Sequence, residues 1–307
     1  MKTRGLITHF VYKFKQKRAQ IIFIYTNIMA RGFIDCHCHL SADEFTQTYR
    51  KTHLNQTHQQ DIDDVLLRAK RAGVKALVAV TEGASEFEKV ILLSKTYPGF
   101  VFPCFGIHPL QGSGQDLHSV KIQDLEPFLP LFQKYRADIV AVSEIGLDFT
   151  PWFAKTTQER DEQIKVFIKQ LEISKELDLP VNVHSRSAAK VTIDTMKELG
   201  IRQALLHNFA GKPSVAMEGV QAGFCFSFPP AVSKTEQRAK LIRQIPLEHI
   251  CLETDSPALG IDKHIRNEPG NIMICCEYIA KIKGISSDAV MEVTTQNALR
   301  LFSKLKR

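Results

Sequence analysis

Phe33-Ile34-Asp35-Cys36-His37-Cys38-His39-Leu40 reads as a short strand ending in two histidines, two residues apart. Side chains alternate along a strand, so this spacing puts Asp35, His37 and His39 on one face and Cys36 and Cys38 on the other. Two imidazoles on one face at a strand end can share one divalent ion. Paired strand histidines can equally be hydrogen-bonded core residues, and the pair alone does not choose. Cys36 and Cys38 would suit a separate thiolate site, but no second thiol pair completes it.

Seven more apolar runs follow at intervals: 74–80 (VKALVAV), 100–106 (FVFPCFG), 138–144 (DIVAVSE), 179–184 (LPVNVH), 203–209 (QALLHNF), 223–228 (GFCFSF) and 249–255 (HICLETD). Helix-like spacing lies between them. Residues 61–72 place Ile62, Val65, Leu66 and Ala69 on one face with Asp61 available as a cap, and 158–177 carry an apolar stripe of Ile164, Phe167, Ile168, Leu171 and Leu177. Eight strands alternating with helices predict an α/β fold, a closed (β/α)8 TIM barrel forming one hydrolase domain over residues 31–307. A doubly wound open sheet is the alternative, though no Gly-rich phosphate loop follows the first strand.

Two polar stretches interrupt the pattern. Residues 46–60 include His53 and His58, whose spacing in a polar loop reads as solvated rather than metal-binding. Residues 111–119 form a Gly- and Ser-containing loop after the third strand, on the side where a barrel builds its active site.

The net charge of +7 on 307 residues invites a nucleic-acid reading until it is located. Lys2, Arg4, Lys13, Lys15, Lys17 and Arg18 lie in residues 1–30, which hold no acidic residue, so only about +1 remains for residues 31–307. The body is nearly neutral, and net charge says little about nucleic acid. Residues 1–30 read as an extension outside the fold, either sequence upstream of a start at Met29 or a mitochondrial targeting segment. Seven cysteines without a CxxC pair argue against a disulfide framework and for a reducing compartment, cytoplasmic or nuclear. No run approaches the roughly 20 apolar residues of a membrane span, and nothing in the sequence calls for an obligate protein partner.

The later strands change the weight of the histidine pair. Glu144, His184, His207 and Asp255 each fall at or near the carboxyl end of an expected strand, where barrel active sites assemble. Four histidines and two carboxylates suit Zn, Mn or a similar borderline divalent ion better than Ca, which prefers oxygen ligands, and Mg is kept as a further candidate. Six groups exceed the three that a catalytic zinc uses, so two divalent metal ions about 3.5–4 Å apart, bridged by a carboxylate, fit the count. Glu144 is the expected bridge, and Asp255 the expected ligand and general base. Arg186, two residues past His184, shares its face and could grip a phosphate. Phe149 and Trp152 after the fourth strand could stack on a base, or form a hydrophobic lid.

These segments resemble the TatD family of metal-dependent deoxyribonucleases. The matching stretches are FIDCHCHL, GIHP (106–109), SEIGLDF (143–149), VNVHSR (181–186), LLHNFAG (205–211), LETDSPAL (252–259) and RNEP (266–269). They keep family order across nearly all of residues 31–307. The resemblance implies one ion on His37, His39 and Asp255 and another on His184 and His207, with Glu144 between them. It implies DNA as substrate, 3′ to 5′ exonuclease action and cleavage at abasic sites. His108 in GIHP resembles a substrate-contacting position, and Arg266 in RNEP is a second phosphate candidate or a salt bridge that positions the last loop. The sequence departs from the family at Asn208, where a small residue is usual, at Ala210, and in the length of residues 46–60. The alternative function is an amidohydrolase-like enzyme cleaving a C–N or lactone bond. Many of those carry a carboxylated lysine on the fourth strand, which here reads DIVAVSE and has none.

Overall fold

All eight apolar runs become strands of one parallel sheet: β1 (Phe33–Cys38), β2 (Val74–Ala79), β3 (Val101–Phe105), β4 (Ala141–Asp148), β5 (Val181–Arg186), β6 (Ala204–Leu206), β7 (Cys225–Phe228) and β8 (Ile250–Leu252). They are ordered in space as in sequence. The sheet returns on itself just past β8, where the Asp255 N–H donates to His37 O (2.9 Å) and the His39 N–H donates to Ser256 O (2.8 Å). The structure, a computed structural model, describes residues 32–306 except 47–48, 52–55 and 59–60, with backbone alone at 46, 49–51 and 56–58. The 1–30 extension, His53 and the side chain of His58 lie outside the described residues.

The helices that cover the barrel are α1 (Ile62–Arg71), α2 (Phe87–Thr96), α3 (Leu129–Lys134), α4 (Thr157–Leu177), α5 (Ala189–Glu198), α6 (Pro213–Gln221), α7 (Glu236–Gln244), α8 (Ile272–Lys283) and α9 (Ser287–Leu301). None of the described helices is long and apolar enough to cross a membrane. Two cores result. The outer one packs strand residues such as Leu77, Phe105 and Val183 against helices. Ile34, Val78, Cys104, Leu205 and Cys251 fill the barrel interior, with Phe302 and Leu305 after α9 packed against them.

Simple alternation fails in β1. Cys36 joins the interior cluster, while Cys38 joins the outer one and donates its thiol to Val78 O (3.6 Å). The pairing register with β2 shifts between Asp35 and Cys38, which breaks the common face expected for the two thiols. All seven cysteines are buried and free.

The fourth strand also differs from expectation: it continues past Glu144 to Asp148. Gly146 makes this continuation feasible. Its φ is +142°, and a Cβ there would lie 2.0 Å from the His184 carbonyl oxygen. Only glycine lets β4 pass so close to β5. Helix α4 then fixes the loop ends from outside. Gln170 accepts from Ile107 N–H and donates back to Ile107 O, and Gln163 makes the same reciprocal pair with Asp148.

In α1, Ile62, Val65, Leu66 and Ala69 are buried as the spacing predicts, but the Asp61 side chain makes no capping bond. Its carboxylate accepts from Arg266 instead (2.8 and 2.6 Å). In the polar stretch before α1, Tyr49–Lys51 and Gln56–His58 pair as a short antiparallel ribbon.

Candidate metal centre

The carboxyl ends of the strands bring all six expected ligands together. His37 Nε2 lies 3.2 Å from His39 Nε2, and His39 Nε2 lies 3.1 Å from Asp255 Oδ1. Glu144 turns Oε2 toward this group, 3.5 Å from His37 Nε2 and 3.6 Å from His39 Nε2. Its other oxygen, Oε1, faces His184 Nδ1 (2.9 Å) and His207 Nε2 (2.7 Å). One carboxylate therefore faces two separate donor sets. The sets are pressed together by the imidazoles of His37 and His207, stacked with centroids 3.7 Å apart.

The donor atoms fit divalent ions. Ligands about 2.0–2.2 Å from a tetrahedral ion stand about 3.3–3.6 Å from one another. On the Oε2 side, His37 Nε2, His39 Nε2 and Asp255 Oδ1 stand 3.1–3.7 Å from one another, and Glu144 Oε2 lies 3.5 and 3.6 Å from the two imidazole nitrogens, close to that spacing. His207 Nδ1 is buried and makes no hydrogen bond among the described residues, with Glu253 Oε2 3.7 Å away.

A second tier of buried polar residues surrounds these groups, and of it the sequence reading placed only Asp35 beside the histidines. Asn182 Oδ1 lies 3.1 Å from His37 Nδ1, and Asn182 Nδ2 donates to Cys36 O (2.8 Å). Because the amide group is anchored, its oxygen accepts from Nδ1–H and leaves His37 Nε2 as the lone-pair nitrogen facing Glu144. Asp148 Oδ2 takes the corresponding place beside His184 Nε2 (3.3 Å). Asp35 accepts from the backbone N–H groups of His37 and Thr254, tying β1 to the end of β8. Glu253 accepts from Ser227 Oγ and Asn208 N–H. The signal that could have found these residues is the two-residue repeat of a strand: Asp35 with His37, Asn182 with His184, Glu253 with Asp255, and Asp148 two steps beyond Glu144.

Charge in the cluster is strongly polarised. Burial opposes ionisation of Glu144, yet His207, His108 and His37 around it hold its carboxyl well below the usual range. Asp255 behaves alike: burial is overcome by His39, His37 and His207. Burial and the adjacent His37 push His207 down to about 4, keeping it neutral. Glu253 is pushed up to about 8, by burial first, with His37 pulling the other way and Asp255 adding to the rise.

His39, Glu144, His184, His207 and Asp255 line a cleft of about 400 Å³, whose walls also include His108, Arg186 and Asn208, with His37 buried beneath. His108 Nδ1 lies 3.1 Å from the Leu110 nitrogen and 3.3 Å from the Leu110 carbonyl oxygen, and its Nε2 lies 3.7 Å from Glu144 Oε1. Arg186 is half-exposed, with Nη1 3.7 Å from Asp148 Oδ2. Arg266 does not join them. Its guanidinium donates to Asp61, Glu268 and Glu44 O and lies over the Phe45 ring, which makes it the salt bridge that positions the last loop. Trp152 is 68% exposed and Phe149 packs beside the Arg160 guanidinium; neither ring lines the cleft.

A parallel barrel with paired histidine–carboxylate sets at the carboxyl ends of its strands defines a metal-dependent hydrolase. The family profile described as TatD related DNase matches residues 34–303. Among curated relatives, the chain is similar to a Danio rerio tatdn3 protein, 84% identical over 278 residues that cover 91% of this chain and 100% of that one. It is also similar to the Homo sapiens protein named deoxyribonuclease TATDN3, 53% identical over 276 residues, covering 90% of this chain and 96% of the relative. Among solved structures, the Escherichia coli TatD homologue YJJV matches with a TM-score of 0.75 at 25% identity, over 90% of this chain and 99% of that one. The chain belongs to the TatD-related DNase family, and it is an enzyme, a hydrolase.

Proposed function

We propose that this enzyme hydrolyses DNA phosphodiesters with two divalent ions, trimming strands from the 3′ end and cutting at abasic sites. The observation that carries the reading is Glu144, whose two oxygens face two distinct donor sets. In this reading His37, His39 and Asp255 hold one ion, His184 and His207 hold the other, and Glu144 joins both. When bound, the ions polarise a phosphate oxygen and lower the pKa of water to near neutrality.

The chain's own groups do the rest. Asp255 uses Oδ1 beside His39, leaving Oδ2 to accept the proton of the attacking water. Its neighbours keep it ionised at neutral pH, so it is available as a base. Burial lowers the pKa of His108 despite Glu144, and from the cleft wall, with its proton on Nε2, it would donate to a phosphate oxygen. Arg186 binds a phosphate of the strand through its planar fork, and Asp148 limits where that fork can swing.

The decisive assay offers the purified chain, loaded with Mn or Zn, an end-labelled oligonucleotide, an abasic duplex, and amide and lactone substrates. Stepwise loss of 3′ nucleotides is the expected result, and Asp255→Ala should abolish it. Ring opening of lactones or amides without phosphodiester cleavage would refute the reading and favour the amidohydrolase alternative.

A further inference from the structure

The cleft is electrically lopsided. Glu44, Glu82 and Glu86 line the side formed by the loops after β1 and β2. On the side of β5 to β7 a recess of about 60 Å³ opens beside His184 and His207, and its walls carry two guanidiniums, Arg186 and Arg238.

Arg238, on α7, was not singled out by the sequence. It donates from Nη1 to the Phe209 carbonyl, and its Nη2 lies 3.4 Å from Asn208 Oδ1. Asn208 has φ +40°, a left-handed conformation that asparagine accepts more readily than most residues. Its N–H donates to Glu253 Oε1 (2.8 Å). Backbone and side chain of Asn208 thus set the place of Arg238, which gives a purpose to one departure from the family pattern. A guanidinium offers five N–H donors in a rigid fork, more than these contacts use.

We propose that this recess is a second phosphate site, in which Arg238 and Arg186 hold the phosphate next to the one being cut. The proposal rests on the deoxyribonuclease reading. The recess shares His184 and His207 with the metal centre, so a phosphate there is adjacent to the reacting one. Carboxylates on the opposite wall disfavour phosphate, so the continuing strand runs toward the arginines and its terminal nucleoside lies toward Glu44, Glu82 and Glu86.

The test compares a single-stranded oligodeoxynucleotide with a nucleoside p-nitrophenyl phosphate, which has one phosphodiester and no neighbouring phosphate, both with Mn. Arg238→Gln should lower kcat/KM on the oligonucleotide about tenfold more than on the small ester, chiefly through KM. Arg238→Lys, which keeps the charge, should recover part of the loss. A neutral methylphosphonate in place of the adjacent phosphate should impose the same loss on the wild type and add little to Arg238→Gln. Equal losses on both substrates, or multiplicative losses from variant and methylphosphonate, would overturn the site. Wild-type cleavage of the unmodified oligonucleotide is read separately. Its absence overturns the deoxyribonuclease reading and this site with it, whereas its presence with multiplicative losses overturns only the Arg238 site.

Discussion

In the two-ion reading Glu144 is the residue on which the centre turns, because it would have to serve as an anion on both oxygens. Glu144→Gln keeps the shape but offers one neutral oxygen and an NH2 group that repels a cation. Losing a group that merely orients a ligand costs about 10–100-fold in metal affinity or activity, so Glu144→Gln should cost about 100-fold or more in kcat/KM. Retention of most of the activity would remove the bridging role. Asn182 makes the subtler case. Asn182→Ala frees His37 Nδ1 and the Cys36 carbonyl, both buried, and should weaken metal binding about tenfold or more while the barrel still folds. Titration of the apo protein with Mn or Zn, followed by calorimetry, checks this; unchanged affinity means that His37 needs no orienting partner. The cluster of six candidate ligands was legible in sequence because each stands at an expected strand end with a side chain suited to metals. Asn182, Asp148 and Glu253 were not, because the bonds that give them meaning come from other strands.

Individual elements show where local reading succeeds and where it stops. The buried face of α1 follows from periodicity alone, but the partner of Asp61 does not: Arg266 is 205 positions away. Arg266 is nearly buried and bridges Asp61 and Glu268, while Arg68 pairs with the same two carboxylates. This four-residue network ties the last βα loop to α1, and Arg266→Leu should destabilise the protein by about 2 kcal/mol, because two poorly solvated carboxylates lose their main partner. The pH dependence has a definite sign. Burial would raise both carboxyls, but Arg266 and Arg68 overcome it and hold Asp61 and Glu268 below their ordinary values. The stability they add is complete above the unfolded pKa of about 4 and is lost as pH falls through the lower folded values. The Tm gap between wild type and Arg266→Leu should therefore be widest near pH 7 and shrink toward pH 3. A gap that stays constant over that range would show that packing on Phe45, rather than charge, is what Arg266 contributes.

Across the whole molecule, the metal centre sits on the seam of the barrel. β1 and β8 are its first and last strands, joined by two backbone hydrogen bonds and by Asp35 accepting from Thr254. His37 and His39 come from one side of that seam and Asp255 from the other. The eight strands and their closure into a barrel could be expected from the sequence, but the particular bonds that close it could not, since they pair residues more than 200 positions apart. In the proposed reading, an ion shared by His37, His39 and Asp255 would tie the two ends of the barrel together, and it would bind the folded chain alone. Binding at 100 times Kd adds about 2.7 kcal/mol, and at about 2–4 °C per kcal/mol for a chain of this size the Tm should rise by about 5–10 °C. The measurement is a thermal melt of chelator-treated protein with Mn or Zn added back. Asp255→Ala should lose most of the rise, because it removes the only expected ligand on the far side of the seam. His184→Ala, which leaves the seam set whole, should keep part of it. If the metal that restores catalysis leaves the Tm unmoved, the ion does not staple the barrel, and the seam is held by its hydrogen bonds alone.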